Sequence, residues 1–108
     1  MNRISRVKVS AGGAPVTFDK GDTGVDHADS HRQMQVTCKN LDGGTFVVQL
    51  LVVDSVDKYV DLNTPATEEN AVALVGDNLL YEQVKVVFQD LGAAAAPVVL
   101  ATFWQKGL

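Results

Sequence analysis

The side chains best suited to chemistry gather in one short segment, GDTGVDHADSH at 21–31. There His27 and His31 stand four residues apart, with Asp22, Asp26 and Asp29 around them. Two imidazoles at that spacing share one face of a helix, an arrangement that zinc sites use. The segment lacks the apolar periodicity of a helix, and no glutamate stands where a metalloprotease needs its base. Its acids do not follow the spacing of an EF-hand calcium loop. His27, His31 and Asp26 are the metal-ligand candidates, and the reading adopted is a solvated polar loop with no metal and no other cofactor.

Catalysis by other routes finds less support. A nucleophile needs a base held against it, and both histidines are confined to that loop. Ser5, Ser10, Ser30 and Ser55 lie in no nucleophile elbow. AGGAP at 11–15 is a turn and not a phosphate cradle. Glu68 and Glu69 are adjacent, so on a strand they face opposite ways. No catalytic residue is assigned, and the chain reads as a non-enzyme.

The bulk properties set the frame that must hold any site. The chain has 108 residues, 46% hydrophobic and 20% charged, as in an ordinary globular domain, and reads as one domain over 1–108. The net charge of -4 argues against nucleic acid, which calls for a basic surface. The single cysteine, Cys38, cannot form an intrachain disulfide and falls in an alternating run that buries it. MNRISRVKVS has no apolar segment of signal-peptide length, and LLVV at 50–53 is far too short to span a membrane.

The period is two almost everywhere. In RQMQVTCK, Met34, Val36 and Cys38 fall on one side and Gln33, Gln35, Thr37 and Lys39 on the other, a half-buried strand. NLDGG follows, with Gly43 and Gly44 free to take positive φ. TFVVQLLVVD is apolar with little alternation and reads as a central strand covered on both faces. A turn at DSVDK and the short YVDL then complete what reads as a three-strand meander over 33–62. NTPATEEN reads as a loop, with one or two helical turns capped by Thr64 as the alternative. LLYEQVKVVFQD places Val84, Val86 and Phe88 on one side, and PVVLATFWQ is the last strand. Val48, Leu50, Val86, Phe88 and Leu100 are assigned to the core. RISRVKVS and APVTFDK supply weaker strands, the first ten residues being an N-terminal arm or edge strand. The fold expected is all-β: an antiparallel β-sandwich or small barrel of seven or eight short strands with little helix.

Two features suggest contact with another surface. The alanine tract in LGAAAAP, 91–97, is barred from forming a helix by Gly92 and Pro97, and four residues are too few to nucleate one. It reads as a hairpin loop with bare methyl groups at its tip, in contact with another molecule or capping the core. Arg3, Arg6 and Lys8 crowd the N-terminus without an acid. Asp54, Asp57, Asp61, Glu68, Glu69 and Asp77 accumulate later against Lys58 alone. Such asymmetry can steer one copy onto another or onto a negative lattice. The interface candidates are Arg3, Arg6, Lys8, Ala94 and Ala95.

VQLLVVDSVDKYVDL at 48–62, LLYEQVKVVFQDLG at 79–92 and a final strand after a small-residue turn together resemble small β-sandwich structural proteins of tailed bacteriophages, over about residues 33–106. Many of those have Asp-Gly in the acidic turn and Trp after it, where this chain has Asp54-Ser55 and Tyr59. The resemblance implies a non-enzymatic virion component (capsid decoration, tail or fibre), made and assembled in the host cytoplasm. Its partners would be itself, as a homo-oligomer with a trimer favoured, and other virion proteins. The alternative is a ligand- or carbohydrate-binding β-sandwich module with Tyr59, Tyr81 or Trp104 as a stacking platform. No nucleic acid and no membrane are expected.

Overall fold

The computed structural model describes residues 2–24, 31–75 and 81–105. Eight strands run through them: β1 (Asn2–Val9), β2 (Val16–Phe18), β3 (His31–Lys39), β4 (Thr45–Val52), β5 (Tyr59–Asp61), β6 (Val72–Val75), β7 (Tyr81–Gln89) and β8 (Val98–Gln105). They form two antiparallel four-stranded sheets, sheet A in the order β1-β8-β3-β6 and sheet B in the order β2-β7-β4-β5. The architecture is all-β, as the alternating runs require. The one helix among the described residues is a single turn, α1 (Lys20–Thr23), at the junction between the segment read as the strand APVTFDK and the segment read as a polar loop. Asp19 caps it and Asp22 returns a bond to the cap backbone, the reciprocal pairing of a capping box. None of the described helices is long and apolar enough to cross a membrane.

Alternation decides what faces inward. From sheet B, Phe18, Phe46, Val48, Leu50, Val84 and Val86 enter the core. From sheet A, Met34, Val36, Cys38, Val99, Ala101 and Phe103 meet them, all at most 1% exposed. Phe18 and Phe103 join the layers edge-on, with ring centroids 6.1 Å apart, a favourable geometry for two quadrupoles. β4 is central in its sheet, between β7 and β5, and Val47 on its outer side is also buried. A register shift between Leu51 and Val52 opposite β7 lets Tyr81 turn inward, where it is 1% exposed.

Four expectations need correction. Leu100 is 41% exposed: it lies on the outer face of sheet A, and its neighbours Val99 and Ala101 take the core. Phe88 packs against the core but is only partly buried. The meander over 33–62 does not exist as such, because β3 lies in sheet A and β4 and β5 in sheet B. The alanine segment is likewise no hairpin, since β7 and β8 lie in different sheets. Among the described strands only β4 and β5 are consecutive neighbours in one sheet; every other step crosses the sandwich. Turn residues signal that the chain reverses, but not whether it reverses within a layer or across the core.

The crossing after β3 shows how this is done. Asn40, Asp42 and Gly43 take φ of 61°, 50° and 84°, left-handed conformations that Asn, Asp and Gly tolerate best. Leu41 between them is fully buried and plugs the end of the core. Gly44 does not take positive φ; it is needed for space. A Cβ there would lie 2.9 Å from both the Gln89 carbonyl oxygen and the Leu91 Cα. The segment 63–70 is a loop with a turn at 67–70, as read, and one bridge from Ala66 to Phe46.

Candidate functional site

Strand β1 is paired the length of β8, from Asn2 opposite Gln105 to Val9 opposite Val98. It is an edge strand and not a loose arm. Residues directly opposite in an antiparallel pair point to the same side. Val99, Ala101 and Phe103 face the core, so Lys8, Arg6 and Ile4 opposite them face sheet B. From Arg6 onward the strand is therefore inside out: Arg6 and Lys8 point inward and Val7 and Val9 outward, 62% and 69% exposed.

The inward cations are satisfied within the chain. Lys8 Nζ lies 2.6 Å from Asp22 Oδ1, donates to the Thr17 carbonyl at 2.7 Å and sits 5.2 Å from the Phe18 ring centroid. Arg6 Nε donates to the Asp22 carbonyl at 2.8 Å. Together they close the gap between β1 and the short strand β2. Inward charges on an edge also discourage another chain from adding to it. Of the basic interface candidates, Arg6 and Lys8 are thus occupied internally, and Arg3 is on the outer face opposite Trp104.

That outer face carries two rows that are apolar across β1 and β8 and end in a polar residue on β3. Val7, Leu100 and Thr37 are aligned across β1, β8 and β3, and beside them Val9, Val98 and Lys39. Val7, Thr37, Lys39, Val98 and Leu100 line a shallow depression of about 160 Å³. Toward the other end the face becomes polar: Ser5 and Thr102 share a hydroxyl bond of 3.0 Å. The strands of sheet A contain no Asp or Glu, in a chain with 13 acids against 9 bases. The acids lie in sheet B and the connections. The sequence reading missed these residues because PVVLATFWQ is apolar in both phases. That lack of alternation is itself the signal of a strand covered on both faces.

The alanine segment has an intramolecular reason for its small side chains. It lies against the 40–44 turn: the Ala96 N–H donates to the Asn40 carbonyl at 2.9 Å and the Ala94 N–H to Asp42 Oδ2 at 3.0 Å. A Cβ on Gly92 would collide with the Asp42 side chain and carbonyl. Ala94 is exposed and Ala95 half-buried. The segment seals the end of the sandwich together with Leu41, whose N–H is bonded by Glu68 Oε1.

His27 and Asp26 lie outside the described residues, and His31 opens β3. Among the described residues no group of three His, Cys, Asp or Glu side chains is placed to hold a metal ion. Of the aromatic platform candidates, Tyr81 is buried. Lys85 Nζ stands 4.7 Å from the Tyr59 ring centroid, while the Tyr59 hydroxyl bonds Gln83 Oε1 at 2.8 Å. Only Trp104, half-buried on the outer face of sheet A, remains open to stacking.

Cys38 is buried, and burial pushes its thiol from 9.0 up to about 12. Burial raises Tyr81 in the same direction. A raised acid keeps its proton in the folded state where the unfolded chain has lost it. Its contribution to stability is full below about pH 9 and is lost as pH climbs from there toward 12. The free energy of unfolding should therefore fall above pH 9, less steeply in Cys38→Ala. Ellman's reagent at pH 8 should label native Cys38 only as fast as the protein opens; labelling at the rate of urea-unfolded chain would show an accessible thiol.

Comparison with protein-family models, with curated proteins and with solved structures gives no match to this chain.

Proposed function

We propose that the protein is a non-enzymatic structural module that associates with itself and docks on a larger lattice, as a capsid decoration, tail or fibre component of a tailed-phage virion. The observation that carries the structural role is the inside-out strand β1, which leaves Val7 and Val9 in water beside Leu100. A contiguous apolar patch on a small soluble domain marks an interaction surface. Single exposed aliphatics would not, but here aligned rows on adjacent strands present one surface. The virion assignment rests on the resemblance of 48–62 and 79–92 to phage structural proteins. The carbohydrate-platform reading is weaker, since Tyr81 is buried and Lys85 stands by the ring of Tyr59.

Light scattering on the purified chain should give a mass that is a multiple of 11.5 kDa. A monomer across the whole soluble concentration range would end the self-association reading. Antibody against the chain should label intact particles in electron micrographs of the producing cells' lysate. Label found only in the particle-free fraction would end the virion reading.

A further inference from the structure

The depression on sheet A has a counterpart on the same molecule. Val56 sits at the tip of the β4–β5 turn and is 92% exposed. Alone it means little, because scattered surface aliphatics are common. Its setting is unusual for a turn tip, where polar residues prevail: Asp54 and Asp57 flank it, and both are exposed. The turn is held firmly. The Val52 N–H donates to the Lys58 carbonyl at 2.9 Å and the Ser55 N–H to the Val52 carbonyl at 3.2 Å. The Lys58 N–H donates to Ser55 Oγ at 2.7 Å. Asp54 takes φ 62°, and its N–H reaches Glu82 Oε1 at 3.3 Å.

We infer that the β4–β5 turn of one copy seats on the outer face of sheet A of the next, with Val56 in the depression between Val7, Val98 and Leu100 and its flanking aspartates toward Lys39 and Arg3. The occupant is identified by charge and shape together. The receiving face has an apolar floor, cations and no acid in any of its strands. The turn presents one aliphatic side chain among the carboxylates of Asp54 and Asp57, with Glu82 bonded to the Asp54 N–H, so that three acids outweigh its one cation, Lys58. A face-to-face pairing of two sheets A would instead bring cations together with nothing to offset them. Turn and face are different surfaces, so each copy offers one of both, and two copies related by a twofold axis satisfy both contacts at once. Under any other rotation the contact repeats, closing into a ring where the rotation allows and otherwise continuing as a filament. This inference rests on the self-association proposed above and names the surfaces that make it.

Two exposed substitutions test it in the full chain. Val56→Asp spoils the turn and Leu100→Glu spoils the face. Sedimentation velocity over a concentration series should show each variant associating about tenfold more weakly than the native chain or worse, with an unchanged β spectrum. Mixed in equal amounts, the two should form a heterodimer that grows no further, because one intact turn then meets one intact face. Normal association of Val56→Asp while Leu100→Glu dissociates would mean that the face meets its own copy. That result, or a mixture that stays monomeric, overturns the inference and leaves self-association standing. A native chain that is itself monomeric overturns both. If Leu100→Glu does not fold, Lys39→Glu and Asp57→Lys decide: each should weaken association alone and restore it when combined in one chain. Failure to restore it counts against the contact.

Discussion

Phe103→Ala should lower the free energy of unfolding by about 3–5 kcal/mol, the range for truncating a buried aromatic. Phe103 is fully buried, stands opposite Met34 and Ile4 on the two neighbouring strands, and meets Phe18 across the sandwich. Its loss leaves a cavity at the contact that joins the layers. Leu100→Ala is the control. It removes a larger aliphatic side chain than Ala101 carries, yet from the outer face, and should cost under about 1 kcal/mol in the monomer. Urea denaturation of both variants checks the phase of β8. A larger loss from Leu100→Ala than from Phe103→Ala would mean that Leu100 and not Phe103 faces the core.

Gly92→Val should be the other severe change, costing about 3 kcal/mol. The new side chain would be forced into Asp42, displacing the turn that swings the chain from sheet A to sheet B. Overpacking of this kind costs about 1–3 kcal/mol, and about 1 kcal/mol more goes with each bond lost when the segments separate. The bonds at stake run from Ala94 to Asp42 and from Ala96 to Asn40. Ala94→Ser, on an exposed position of the same segment, should be neutral to within about 0.5 kcal/mol. Thermal unfolding of the pair distinguishes a tight backbone approach from a loose loop. A Gly92→Val melting curve matching the native one would show that the two turns are not in contact.

Alkaline instability follows from a thiol and a phenol held away from water, and turn-to-face association follows from an apolar face without acids. Both depend on which side of a strand a residue occupies, so a single slip in register would reverse them.

The amino-acid sequence by itself determined the class of this protein. Period-two runs such as Met34, Val36 and Cys38, and Val84, Val86 and Phe88, can bury one apolar face only as strands. Gly92 and Pro97 bar a helix from the alanines whatever surrounds them. The lone cysteine, the small helix content and the uneven charge were legible for the same reason: each is a property of local residues. Three things were decided only by the tertiary structure. The sheet each strand joins is one, because NLDGG and LGAAAAP signal reversal equally well within a layer or across one. The phase of β8 is another, because Val98 and Leu100 are as apolar as Val99 and Ala101; only pairing with β3, whose alternation is unambiguous, selects Phe103 and Ala101 for the core. The last is the role of the N-terminal cations. Arg6 and Lys8 read as an arm reaching outward, yet β8 fixes their side and Asp22 and Thr17 supply their partners. The common physical reason is that a strand has two faces and a free edge. Which face meets water depends on partners distant in sequence, and local pattern carries that information only where one face is plainly polar.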